Sequence, residues 1–313
     1  ILLNALSAIC FELGKFSEAG FLLQKALRIM VDLDLETHEA YITMLGNLAD
    51  LQVQQASYVE AERTYNLCLR SIETNISETG PLRLFYLYRL SNVYWQQGCY
   101  EEVRTTQVEL IDLCKSLFGD VHLQIALNAS KMGDSFVSQG LYEKAIDAYN
   151  RAVNISVQLL EESHPTVMLY LAKLGTTLAL SQKFEKAQPV YERLLEIQMN
   201  QWEFDGYEIA NKFNNLAFVL AGLGQRDTAI ALYLKAIALA EIGGEKPYLV
   251  GYFKKNLASS YHRNGETMLA KLLLFQAVEI MEGYFGRDHP IAKDIKEYSE
   301  NLTSNVLIEG SDS

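Results

Sequence analysis

Histidine, cysteine and carboxylate side chains are where chemistry would begin in this 313-residue chain. His38, His122 and His164 lie 84 and 42 residues apart, and His289 joins that phase once a single 41-residue step is allowed. A zinc site draws its ligands to about 2 Å from one ion, whereas neighbouring helices pack about 8–10 Å apart. Equal phases in successive helical units therefore cannot converge on a metal, and these histidines are expected at loops or helix starts. Cys10, Cys68, Cys99 and Cys114 show neither CxxC spacing nor a secreted disulfide framework. Cys10 and Cys68 fall on apolar phases, where a thiol acts as a small hydrophobe. The acid pairs Glu101–Glu102 and Glu161–Glu162 stand beside polar residues and read as solvated faces. HExxH, GxSxG and GxxxxGK[ST] are all lacking, as is GxGxxG after a strand. Neither an enzyme, a cofactor nor a metal is expected.

Charge narrows the partners. A formal net charge of -12 with no basic run argues against nucleic acid, which is held by clustered Lys and Arg that release counterions. No window approaches the roughly 18 apolar residues of a membrane span, so direct membrane insertion is not expected. The cysteine usage points to a reducing compartment, the cytoplasm first, with an organelle open if a targeting segment has been removed. The chain begins at Ile1 inside a helical pattern, as an excised segment of a larger chain or complex subunit, or a processed form, would.

The elements that position these residues come from an internal repeat. GKFSEA at 14–19, ASYVEA at 56–61, GCYEEV at 98–103, GLYEKA at 140–145, QKFEKA at 182–187, GQRDTA at 224–229 and GETMLA at 265–270 start 42 residues apart five times and then 41. Eight residues before each start stands a large apolar residue: Leu6, Leu48, Leu90, Met132, Leu174, Leu216 or Leu257. A small one follows it: Ser7, Ala49, Ser91, Gly133, Gly175, Ala217 or Ala258. Ala19, Ala61, Val103, Ala145, Ala187, Ala229 and Ala270 recur further on, followed by Leu23, Tyr65, Tyr149, Tyr191, Tyr233 and Leu274, with Gln107 the exception in that column. Spacings of three, four and seven put these residues on one face of a helix A and then of a helix B. Each unit is thus a helical hairpin that buries its face only by stacking. Pro81, Pro165, Pro247 and Pro290 mark helix starts, whereas Pro189 falls inside a helix B and should bend or loosen it.

Large-small in helix A, a glycine turn followed by Tyr or Phe, then Ala, Tyr and Ala in helix B resembles the tetratricopeptide repeat. Repeat four shows the pattern most fully, with Met132, Gly133, Phe136, Gly140, Tyr142, Ala145, Tyr149 and Ala152. The 42-residue unit, NNLA at 214–217 and FGRDHP at 285–290 resemble the longer repeats of kinesin light chains. The resemblance implies an all-α fold, a right-handed superhelix of seven hairpins with repeat turns near 14, 56, 98, 140, 182, 224 and 265. A closing helix over 290–302 completes a single array over 1–302, and a disordered tail over 303–313 follows.

It also implies a function, a scaffold or adaptor that binds a protein or peptide segment in a concave groove lined by the other face of helix A. Carried over by position, that face offers Asn47 and Asp50 in repeat two and Phe85, Tyr88, Arg89, Asn92 and Trp95 in repeat three. Lys173 comes from repeat five, Asn211, Asn214 and Asn215 from repeat six, and Lys255 and Asn256 from repeat seven. Phe85, Tyr88 and Trp95 stand off the packing phases, and aromatic anchors are what binding hot spots are made of. Burial against the next repeat is the competing reading. Arg89 would hold a ligand carboxylate or a nearby glutamate. The asparagines would pair with a peptide backbone, or with a helix turn or a neighbouring repeat. The Lys and Asn spaced four apart that clamp a chaperone tail are not matched here, since Lys255 is followed by Ser259 and Tyr88 precedes Asn92. An alternative is a regulatory sensor whose superhelix changes pitch when a ligand enters, hinging at Pro189 and Gly243–Gly244.

Overall fold

The computed structural model describes residues 2–36, 38–75, 80–200 and 206–309, the side chains of 74, 75 and 302–309 excepted. Fifteen helices and no strand are present among them. They fall into two compact units, Ile1–Leu159 and Leu160–Ser313. The first unit holds four hairpins, α1 (Leu2–Glu12) with α2 (Phe16–Asp32), α3 (Glu39–Gln54) with α4 (Tyr58–Asn75), α5 (Gly80–Gln97) with α6 (Tyr100–Phe118), and α7 (Leu123–Ser138) with α8 (Tyr142–Leu159). The second holds three, α9 (Pro165–Leu180) with α10 (Phe184–Met199), α11 (Gly206–Gly222) with α12 (Arg226–Gly243), and α13 (Pro247–Arg263) with α14 (Thr267–Phe285). A last helix, α15 (Pro290–Glu309), packs on α14 and runs past the expected end at 302. No helix among the described residues is long and apolar enough to cross a membrane.

Every hairpin turns the same way. A left-handed residue stands at Gly14, Ala56, Gly98, Gly140, Gln182, Gly224 and Gly265, in step with the sequence repeat. The residue after it donates its N–H five residues back, as from Lys15 to the Cys10 carbonyl at 2.8 Å and from Leu141 to Phe136 at 2.8 Å. These bonds satisfy carbonyls that the end of a helix would leave orphaned. Ala56 and Gln182 adopt the same conformation with φ of 56° and 60°, so the hairpin geometry overrides the side chain's aversion to it.

The connections between hairpins carry a second recurring device. His38, His122, His164 and His289 each accept, through Nδ1, the backbone N–H two residues on, at 3.1, 3.2, 3.1 and 3.3 Å. They cap the starts of α3, α7, α9 and α15, satisfying one of the four donors a helix start leaves unpaired. His122 stacks on Phe118 at 4.4 Å and His289 on Phe285 at 4.6 Å between ring centroids. No group of three metal-competent side chains comes together among the described residues.

Within each unit the core follows the repeat columns. The helix-B alanine column is 0% exposed except at Val103, which is 2% exposed. Leu23, Tyr65, Gln107, Tyr149, Tyr191, Tyr233 and Leu274 are also buried. Of the large helix-A residues, Leu90, Leu174, Leu216 and Leu257 are buried, Leu48 and Met132 half-buried, and Leu6 exposed. The small residue beside them makes room for helix B: a Cβ on Gly133 would lie 2.6 Å from the Tyr149 ring. Pro165 and Pro247 stand in the first turns of their helices, as do Pro81 and Pro290, while Pro189 sits inside a continuous α10. Gly243 lies against the Tyr207 ring, whose hydroxyl accepts the Glu245 N–H, so the expected Gly243–Gly244 hinge is a packed and bonded connection.

Candidate functional site

In the first unit, α5 presents its non-core face between α3 and α7. The core face of α5 is closed, with Tyr86 4%, Leu87 3%, Leu90 4% and Val93 1% exposed. On the opposite side Phe85 is 45% and Trp95 37% exposed. Trp95 meets Tyr100 of α6 edge-on at 5.5 Å, and Phe85 meets Tyr86 at 5.1 Å. Tyr88 lies between them, half-buried, with the Lys131 ammonium 3.7 Å from its ring centroid.

The polar residues of this face are tied from hairpin to hairpin. The residue just before the large helix-A position reaches back to the preceding hairpin each time: Asn47 donates to Asn4 at 3.0 Å, Arg89 to Asp50 at 2.7 Å and Lys131 to Asn92 at 2.8 Å. Arg89 also lies 4.9 Å from the centroid of the Phe85 ring, so its carboxylate partner is Asp50 rather than a glutamate. In the second unit Asn256 donates to Asn214 at 3.0 Å, and Asn214 donates to Asn215 at 3.2 Å. Of the readings left open for the asparagines, bonding to a neighbouring repeat is the one observed for Asn47, Asn214 and Asn256. Each still keeps donor or acceptor capacity, because a primary amide offers two donors and two acceptor lone pairs.

Within individual hairpins of each unit, buried helix-B tyrosines bond to helix A. Tyr65 donates to Asp50, Tyr149 donates to Asp134 at 2.6 Å, and Tyr191 shares a 3.0 Å bond with Thr176. Burial, and then the neighbouring carboxylate, pushes the Tyr65 and Tyr149 phenols well above their ordinary range. Burial likewise pushes the Cys68 thiol up to about 12, leaving it inert as a nucleophile at neutral pH.

The remaining sequence candidates all sit in the second unit, Lys173 among them, half-buried on α9. Asn211 lines a cleft of about 1080 Å³ with Met168, Leu169, Tyr207, Lys212 and Lys246. Lys255 lies 5.3 Å from the Tyr298 ring. Sequence reasoning placed Asp134 on the groove-facing side of helix A in repeat four but did not select Lys131. Both share helix-A columns with selected residues, Lys131 with Asn47 and Arg89, and Asp134 with Asp50 and Asn92, and that column position was the available signal.

The repeat also has counterparts outside this chain. Family models described as tetratricopeptide repeat match residues 1–74, 83–156 and 125–200, and another of the same description matches 209–242. The chain belongs to the tetratricopeptide-repeat family. Similar solved structures include the C-terminal part of a tetratricopeptide-repeat protein from Cytophaga hutchinsonii, 14% identical, covering 93% of this chain and 98% of that one with a TM-score of 0.62. BtubC (BKLC) from P. vanneervenii is 19% identical, covering 71% of this chain and 88% of that one, TM-score 0.58. A putative kinesin light chain with nearly identical repeats from Podosopora anserina is 18% identical, covering 66% and 98%, TM-score 0.56. At these identities the likeness is one of fold. No curated protein gives a significant sequence match. Tetratricopeptide repeats are in general protein-interaction scaffolds, and stacked hairpins present extended surfaces for that purpose.

Proposed function

We propose that this tetratricopeptide-repeat chain is a non-enzymatic adaptor that holds a peptide segment of a partner protein on its helix-A face, with α5 as the anchor. Exposure of Phe85 and Trp95 on a helix whose other side is fully packed carries the reading. Aromatic side chains left on the surface and aligned on one face are the groups from which hot spots are built. Asp50, Arg89, Asn92 and Lys131 flank them with held charges and amides, suited to orienting a polar main chain. In this proposal the repeats over 1–302 act as one array, to which Asn211, Asn214, Asn215, Lys173, Lys255 and Asn256 add further contacts. Four free cysteines, three of them buried, fit a reducing compartment such as the cytoplasm.

A quantitative pull-down from cell extract, comparing the intact chain with the Phe85→Ala/Tyr88→Ala/Trp95→Ala variant, tests this. A protein retained by the first and lost from the second, with helical circular dichroism unchanged, is expected. Identical retained sets would overturn the proposal.

A further inference from the structure

Gln107 occupies the helix-B column that Tyr65, Tyr149, Tyr191 and Tyr233 fill in other repeats. Its side chain is 0% exposed. Nε2 donates to the Ser91 hydroxyl at 2.8 Å, while Oε1 has no hydrogen-bond partner among the described residues. A buried amide oxygen left unpaired is costly, because it has given up its bond to water without gaining another. The shorter side chain also opens space that a tyrosine ring takes up elsewhere. Gln107 lines a cleft of about 260 Å³ with Ser91, Asn92, Trp95, Val103, Lys131 and Asp134. An aromatic wall and a cation thus line a cleft on the α5 face, and the buried Gln107 amide with its unpaired acceptor borders it.

We infer that this cleft is a receptor for a phenol, the tyrosine side chain of the partner, whose ring packs on Trp95 and whose hydroxyl bonds the Gln107 amide. The fit is argued from the chain itself. Its neighbouring repeats bury a tyrosine at this phase and bring the hydroxyl to the groove column, at Asp50 in repeat two and Asp134 in repeat four. Repeat three offers the same architecture without supplying the ring. A phenol both donates and accepts, so it satisfies the amide oxygen and also tolerates the other orientation of the amide group. Phenylalanine fills the space but leaves Oε1 unpaired. Tyrosine is therefore selected over phenylalanine by one hydrogen bond, about tenfold in affinity. The inference rests on the α5 face being the partner surface.

Ligand-observed NMR with the intact chain, comparing N-acetyl-tyrosinamide and N-acetyl-phenylalaninamide, tests it. The tyrosine compound is expected to bind about tenfold tighter. Gln107→Leu should bring the two to equal affinity. Ser91→Ala with Gln107→Tyr, which recreates the Ala49 and Tyr65 pairing of repeat two, should abolish binding while the melting temperature is kept or raised. Equal affinities in the wild-type chain, no detectable binding, or undiminished binding in the filled variant would each overturn the inference. Should the filled variant fail to fold, the Gln107→Leu comparison decides. A partner still lost from the Phe85/Tyr88/Trp95 variant while the tyrosine compound fails to bind would remove the phenol site and leave the adaptor face standing.

Discussion

Ala56 and Gln182 hold a left-handed backbone that costs an L-residue about 1–2 kcal/mol, and both side chains are exposed. Glycine there would relieve that cost and forfeit little packing, while adding freedom to the unfolded chain. Ala56→Gly and Gln182→Gly are each expected to raise stability by about 0.5–1 kcal/mol, read as a higher urea midpoint. A lowered midpoint would contradict the turn geometry. The phase of these residues was legible because the hexapeptide starting at the turn repeats. Their conformation was not, because neither residue type prefers it. The histidines illustrate the same division, since spacing excluded a metal site and pointed to helix starts. The Nδ1 acceptor role depends on a backbone N–H two residues on, which only the folded geometry brings within reach. Arg89 and Lys131 are harder still. Their partners Asp50 and Asn92 lie 39 residues earlier, and pairing across hairpins depends on how one hairpin seats on the last.

Hairpins close where a small helix-A residue meets a large helix-B ring, and Gly133 against Tyr149 is the tightest example in the best-formed repeat. A Cβ at 133 would come 2.6 Å from that ring, so Gly133→Leu must displace Tyr149 and break its 2.6 Å bond to Asp134. Overpacking of this kind costs about 1–3 kcal/mol, expected as a matching fall in unfolding free energy. An unchanged midpoint would refute the assignment of the columns. This pairing was visible in the sequence as a large residue followed by a small one. The second-unit residues illustrate the opposite, because Asn214 and Asn256 were chosen by column yet face each other across hairpins. Column position specifies which residues share a face. It does not specify whether they bond to each other or remain available to a ligand.

Across the molecule, buried phenols set the response to alkali. Burial raises the folded-state pKa of Tyr65, Tyr86, Tyr149, Tyr191 and Tyr233, so folding favours the protonated phenol. The resulting stability is fully present below about pH 10, the ordinary phenol value, and is lost as pH rises beyond it. The melting temperature is expected to fall steeply above about pH 10, less so in Tyr149→Phe, whereas a flat profile to pH 11 would contradict the burial. The all-α repeat fold was legible along nearly the whole chain because each unit repeats the same packing problem. The proposed binding face stood out in the sequence only where residues depart from that pattern, at Phe85, Tyr88 and Trp95, while Gln107 was visible only as the exception in a packing column. Trp95→Ala therefore tests the central claim most directly, with partner affinity and unfolding free energy measured on the same variant. Affinity should drop by about 2 kcal/mol, as for an aromatic hot spot, with the unfolding midpoint nearly unmoved. A stability loss of about 3–5 kcal/mol, with undiminished affinity of the folded fraction, would place Trp95 in the core and contradict the binding face.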